Sequence, residues 1–272
     1  MDLRRAALLL VMLLPAVCPA ADPAALGAAG AAARRAGGPW PLVHEHGVDT
    51  PEEAYAVQRA ALAGLGLVPQ GFKAGLTTPG AQARFGLAEP VLGVLGADMR
   101  LAPEAPVSLR EFQRARFELE IAFILAAPIT ARVERVEDLR ALVLAVAPAL
   151  EIPDLAFADP EAVRGVDLIA ANVGAARYRL GQERRPEGLD LASVNPVLRR
   201  DGNEILRGRS ADALGDPWES LRWMVNRAQE LGHRPQRGAV LLTGALGGMA
   251  PAEPGLHVAD FGVLGGFSFR VR

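Results

Sequence analysis

The sequence predicts an α+β protein dominated by a β-core, and three observations point there. Short apolar segments recur along the 272 residues, and the 29 glycines and 21 prolines that separate them read as turn punctuation. Only a few stretches have helical spacing, and they fall between the strands without regular alternation. No internal repeat is present. At 50% hydrophobic and 22% charged, the composition is that of an ordinary globular chain long enough to bury a substantial core. The formal net charge is −2, with no basic stripe and no block of like charge, which argues against nucleic acid as a partner.

Residues 1–20, MDLRRAALLLVMLLPAVCPA, place Arg4 and Arg5 before an apolar run and then small residues. That is the plan of a cleavable secretory signal, too short in its apolar part to span a bilayer. Its removal leaves a chain with no cysteine and no stable membrane anchor, expected in the periplasm or outside the cell. If the signal reading is wrong, the protein is cytoplasmic. Residues 21–49 are expected to be an N-terminal arm or lid, helical or loose, and residues 50–272 the main domain.

The main domain opens with a helix. Thr50 caps it, Pro51 takes its first position and Glu53 completes a capping box. GFKAGLTTPGAQARFG (71–86) reads as a short strand, a Gly- and Thr-rich turn and a short helix. Residues 90–98 read as a strand or extended loop, 116–126 as a strand, and 136–145 as a connecting helix. The segment 148–157 is short and apolar around Glu151. Residues 166–181 read as a strand or bent pair of strands interrupted by Gly174. A hairpin is expected over 193–207, turning at Asp201-Gly202. A helix follows from Pro217 to Leu231, with Trp218, Leu221, Met224, Val225 and Ala228 on its buried stripe. Residues 239–246 form a buried strand, and the alternation of Phe267, Phe269 and Val271 closes the sheet.

FELEIAFIL (117–125) sets the functional question. Read as a strand, one face carries Phe117, Leu119, Ile121, Phe123 and Leu125, and the other Glu118, Glu120, Ala122 and Ile124. Neighbouring carboxylates repel, and an ionised one is costly to bury without a partner. A hard divalent cation between them would convert repulsion into coordination. The alternative is an edge strand with a solvated second face, Arg116 pairing Glu118. A third acid, Glu151, stands in the apolar segment APALEIPD. Lys73 precedes a flexible turn, Asp98 ends an extended run, and Thr243-Gly244 end a buried strand, all places where side chains can face a cleft.

AYAVQ (54–58), GFKAGLT (71–77), PVLGVLGADM (90–99), RFELEIAFIL (116–125), APALEI (147–152) and LLTGAL (241–246) together resemble the 2-keto-4-pentenoate hydratase family. This is the hydratase and decarboxylase branch of the fumarylacetoacetate hydrolase superfamily. The resemblance covers about residues 50–272. It implies a mixed β-roll with flanking helices, a homo-oligomer, and a site dependent on Mg²⁺ or Mn²⁺. It carries the metal ligands onto Glu118, Glu120 and Glu151, catalytic roles onto Lys73 and Asp98, and substrate contacts onto Thr243 and Gly244.

The implied activity is addition of water to a small 2-hydroxy-dienoic or 2-oxo-enoic acid through a metal-stabilised enolate. The alternatives are an acylpyruvate hydrolase or a 2-oxo acid decarboxylase of the same superfamily, or a non-catalytic exported oxo-acid binding protein. The chain departs from the family pattern at Ala171-Asn172-Val173-Gly174, where hydratases tend to read Asp-Asn-Ala-Ser, and at Gly238-Ala239, where Gly-Asp is usual. His44 and His46 resemble a hydrolase lid dyad less than they resemble a solvated loop. His233 and His257 are expected at the surface, and Trp40, Trp218 and Trp223 in packing.

Overall fold

The computed structural model describes residues 22–272, so the signal sequence read at residues 1–20 lies outside the described residues. In chain order the helices are α1 (Pro23–Arg35), α2 (Pro51–Leu65), α3 (Pro79–Arg84), α4 (Val136–Arg140), α5 (Gly165–Ala170) and α6 (Pro217–Glu230). The strands are β1 (Pro69–Gly75), β2 (Val91–Gly96), β3 (Arg116–Leu125), β4 (Val143–Ile152), β5 (Arg177–Leu180), β6 (Val197–Arg200), β7 (Asn203–Arg207), β8 (Val240–Leu242), β9 (Ala250–Pro251), β10 (Gly255–Asp260) and β11 (Gly266–Val271). The Thr50–Glu53 capping box forms as the sequence predicts and satisfies backbone donors at the start of α2. The arm is a helix: α1 packs along α2. No described helix is long and apolar enough to cross a membrane.

Six strands lie side by side in the order β2-β1-β8-β3-β4-β5, with β9 added to β3, and a second sheet runs β11-β10-β6-β7. The larger sheet curls towards closure. Just beyond β2, Leu101 N donates to Tyr178 O on β5 at 2.8 Å, joining the two ends of the strand order. Continuous pairing aligns Lys73, Leu242, Ala122 and Ala147 across four strands, so these side chains share the inner face of the roll. Small residues dominate that face: Ala122, Ala145, Ala147 and Ala149 pack with Leu95, Tyr178 and Leu242. The opposite face carries Phe72, Leu119, Ile121, Phe123 and Leu241 into the main core. There Trp218 of α6 meets Phe123 with ring centroids 4.9 Å apart.

The edge strand β2 is closed by side chains. Leu92 N donates to the Tyr55 hydroxyl at 2.9 Å, and Gln58 Nε2 donates to Leu92 O at 3.1 Å. One step along, Asn172 accepts from Val94 N at 2.7 Å and donates to Val94 O at 2.8 Å. Every outward-facing peptide group of this stretch therefore has a partner.

Two expectations about elements are corrected. The connecting helix stops at Arg140, and residues 143–152 are strand β4, which is buried almost throughout and contains Pro148, a residue that a helix interior rejects. The 166–181 segment begins with helix α5, because Asp167 accepts from Arg164 N at 2.8 Å and caps the turn. The Asp201-Gly202 hairpin forms, with both residues at positive φ.

Candidate metal centre and active site

Strand β3 is central, flanked by β8 and β4, which removes the edge-strand reading of its two glutamates. Arg116 makes no ion pair with Glu118 within 4.0 Å. Glu118 stands directly opposite Glu151 across the β3–β4 ladder, and Glu120 lies one same-face step along. Oxygens of Glu118, Glu120 and Glu151 fall within 4.8 Å of one another. Glu120 and Glu151 are fully buried and the Glu118 side chain is 13% exposed, so the cluster meets solvent through Glu118.

Lys73 enters from β1 on the same face. Its Nζ lies 2.9 Å from Glu151 Oε2 and 4.0 Å from Glu118 Oε2. The contact with Glu151 is a close ion pair, while Glu151 Oε1 and Glu120 Oε1 are buried with no hydrogen-bond donor. The other Glu120 oxygen accepts from Gly244 N at 2.7 Å. Gly244 has φ +91, and a Cβ there would stand 2.5 Å from Thr77 Cγ2, so the close approach needs glycine.

Burial raises the Glu118 carboxyl to about 8, against the pull of Lys73 and with the help of Glu151. Glu120 is raised well above the usual carboxylate range by burial first, then by Glu151 and Glu118. Burial alone would lower the Lys73 ammonium; Glu151, Glu118 and Glu120 outweigh it, and the group is raised. Three carboxylates and one ammonium leave a net −2 when all are ionised, the charge one divalent cation cancels. Orphaned carboxylate oxygens, oxygen-only donors and this charge all fit a hard divalent ion.

Two of the predicted site residues lie elsewhere. Because β2 runs antiparallel to β1, Lys73 faces Gly93 while Gly96 faces Pro69, four residues away. Asp98 lies beyond that point on an exposed turn, more than about 13 Å along the strand from Lys73. The acid that ends the strand is at the wrong end of the hairpin to partner the lysine. Thr243 shares the face of Leu241, not that of the carboxylates. Its hydroxyl accepts from Ile121 N at 3.1 Å, and its carbonyl accepts from Ser220 Oγ at 2.7 Å, so it splices β8 to β3 and α6.

Histidine placement also departs from expectation. His44 Nδ1 lies 2.7 Å from Asp167 Oδ2, and its backbone N–H donates to Asp167 Oδ1 at 3.1 Å. The pair fastens the 43–46 turn to α5 across 123 residues of sequence, a separation that gives no local signal. His46 is exposed as expected, while His257 is fully buried between Phe117 and Phe269. Trp40 and Trp218 are buried packing residues.

No family model matches the chain. A 2-keto-4-pentenoate hydratase of Burkholderia vietnamiensis is 33% identical over 199 residues, spanning 72% of this chain and 75% of that protein. The chain belongs to the 2-keto-4-pentenoate hydratase family. It is thus an enzyme of the hydro-lyase type. A 2-oxo-hept-4-ene-1,7-dioate hydratase of Escherichia coli is 32% identical over 232 residues, spanning 81% of this chain and 86% of that protein. Among solved structures, 4-oxalocrotonate decarboxylase from Pseudomonas putida G7, complexed with magnesium and adipate, has a TM-score of 0.84 at 23% identity. That match covers 92% of this chain and 97% of the other. The α+β roll is therefore the fold of the fumarylacetoacetate hydrolase superfamily, and this hydratase-family chain carries its carboxylate cluster on the inside of that roll.

Proposed function

We propose that the protein is a Mg²⁺- or Mn²⁺-dependent hydratase of a small 2-hydroxy-dienoic acid, with Glu118, Glu120 and Glu151 as the metal ligands and Lys73 as the catalytic cation. The observation that carries this reading is the lysine held against a nearly sealed triad of carboxylates. The bound metal would supply Lewis-acid stabilisation of negative charge on the substrate's C2 oxygen. Lys73, kept protonated by the acids around it, suits anchoring of the substrate carboxylate or donation of a proton, and not service as a base. Gly244 fixes Glu120 by its N–H, so one oxygen of that side chain is oriented before any ligand arrives. The dienol ketonises by taking a proton on carbon, and water then adds across the remaining double bond.

The test is ultraviolet absorbance of 2-hydroxypenta-2,4-dienoate with protein and Mg²⁺. Decay of the dienol band into a hydrated product supports the hydratase, and saturable binding without turnover supports the exported binding protein. Decarboxylation is the second reading within the enzyme class. It draws on the likeness in fold to 4-oxalocrotonate decarboxylase and predicts CO₂ release from a 2-oxo diacid.

Two further parts of the reading rest on less. Export rests on residues 1–20 alone, and a native N-terminus near Ala21 would support it. Homo-oligomerisation rests on the family resemblance and is tested by light scattering.

A further inference from the structure

Away from the carboxylate cluster, the 43–46 turn and α5 hold a second buried acid–base pair. Asp167 Oδ2 lies 2.7 Å from His44 Nδ1 and accepts from Arg164 N at 2.8 Å, while Oδ1 accepts from His44 N at 3.1 Å. A carboxylate engaged in this way fixes the imidazole: Nδ1 is the donor, and Nε2 is left as the free position of the ring. The Asp167 side chain is fully buried and that of His44 is 9% exposed, so the ring is held in one orientation at the margin of the interior.

At that margin is a cavity of about 370 Å³. His44 lines it together with Arg84, Arg164 and Asp49, and Phe85, Leu87 and Val163 give it an apolar wall. None of Glu118, Glu120, Glu151 and Lys73 borders it. Arg84 and Arg164 are exposed, and neither is ion-paired with an acid among the described residues. The Arg84 guanidinium lies 5.5 Å from the centre of the Phe85 ring, which keeps its charge at the apolar wall. The charged and titratable groups around His44 are therefore Asp167, Arg164, Arg84 and Asp49, with the exposed Glu45 and His46 on its own turn.

Two guanidiniums against one carboxylate leave the cavity with one positive charge in excess before His44 is counted. That excess and the apolar wall suit a monoanion with an apolar body. Free phosphate would bring a second charge towards Asp49 and leave Phe85 and Leu87 uncovered.

We propose that this cavity is a metal-independent binding site for a small monocarboxylic acid with an apolar body, its carboxylate held by Arg84, Arg164 and a proton that His44 Nε2 takes up as the acid anion binds. The proton comes from solvent, the new Nε2–H donates to the carboxylate, and Asp167 balances the imidazolium from the other side of the ring. Neither the metal nor the hydratase reading enters.

The experiment is calorimetric titration with benzoate at about pH 7.5, in two buffers of different ionisation enthalpy so that proton uptake is read directly. Saturable binding with uptake of part of a proton is expected, at the same affinity in Mg²⁺ and in chelator. Benzamide, with the same ring and no charge, and inorganic phosphate should each bind at least about tenfold more weakly. Arg84→Gln changes an exposed side chain, so it should weaken benzoate about tenfold and leave the melting temperature alone. His44→Gln should weaken benzoate and abolish the proton uptake, whereas a merely structural role for His44 would lower the melting temperature and leave the uptake by the folded protein as it was. Lys73→Met should bind benzoate as wild type does. The site is overturned by absence of benzoate binding, by binding only with Mg²⁺, by equal binding of benzamide, by loss of binding in Lys73→Met, or by unchanged affinity and uptake in both Arg84→Gln and His44→Gln. None of these results bears on turnover of the dienoate.

Discussion

The two faces of β3 come from the same ten residues and obey opposite rules. Leu119, Ile121 and Phe123 are fully buried against large apolar neighbours, and their value is area removed from water. Glu118 and Glu120, interleaved with them, sit over alanines, oppose a third acid and are answered by one lysine. The first face stabilises the protein; the second is a cost that makes sense only when something binds. The strand's period of two keeps the two jobs apart within one segment, and the rigid core behind the site fixes the carboxylates in register.

This contrast can be broken from either side, and the largest effect belongs to the apolar face. Phe123→Ala removes a ring packed on Trp218 and should cost about 3–5 kcal/mol in chemical denaturation, with Mn²⁺ affinity of the folded fraction retained. On the other face, Lys73→Met should cut turnover of the dienoate by roughly two orders of magnitude or more in steady-state kinetics. Metal affinity should stay near wild type, because the lysine is no ligand; an unchanged rate would remove Lys73 from the chemistry.

Metal linkage comes next in size. A hundredfold excess of Mn²⁺ over Kd should stabilise wild type by roughly 2.7 kcal/mol, a melting shift on the order of 5–10 °C. Glu120→Gln should abolish most of that shift. Glu111→Gln should keep it, since Glu111 pairs with Arg177 at the surface, outside the carboxylate cluster. Equal Mn²⁺ binding by wild type and Glu120→Gln would falsify the triad.

The carboxylate face should also answer to pH. Glu118 is raised from 4.5 to about 8 without metal, so the folded chain holds a proton there that the unfolded chain has released. Its contribution to stability is full below 4.5 and is lost as pH climbs through 8, and metal-free protein should melt progressively lower across that window. Excess Mg²⁺ should flatten the trend, because ligation requires the ionised form. Thermal melts with chelator and with Mg²⁺ measure both arms.

Much of this was legible in the sequence because it is local or periodic. The Thr50 capping box, the α6 stripe and the alternation of β3 follow from spacing alone. Glu151 could be suspected because an acid among APALEIPD is out of place, and its register against Glu118 then depends on a pairing that no local pattern shows. Asp98 was misplaced because reading it as a strand end says nothing about which end of a hairpin it occupies. Thr243 was misplaced by one residue of alternation, which is enough to turn a side chain to the other face. The left-handed Asn172–Gly174 turn was read only as an interruption at Gly174 of a strand or bent pair of strands, since a valine gives no hint of positive φ and only the Asn172 clamp on a distant strand explains it. The His44–Asp167 pair is likewise a tertiary fact.

The closed edge of β2 has a consequence for assembly. An unpaired strand is an invitation to any other chain with free peptide groups, and a curled sheet would ordinarily extend its invitation there. Tyr55 and Gln58 from one helix and Asn172 from the strained turn fill those positions from within. Copies of this chain therefore cannot join by lengthening the roll through this stretch of β2. The same asparagine that clamps Val94 also keeps the molecule from becoming a template for its neighbours.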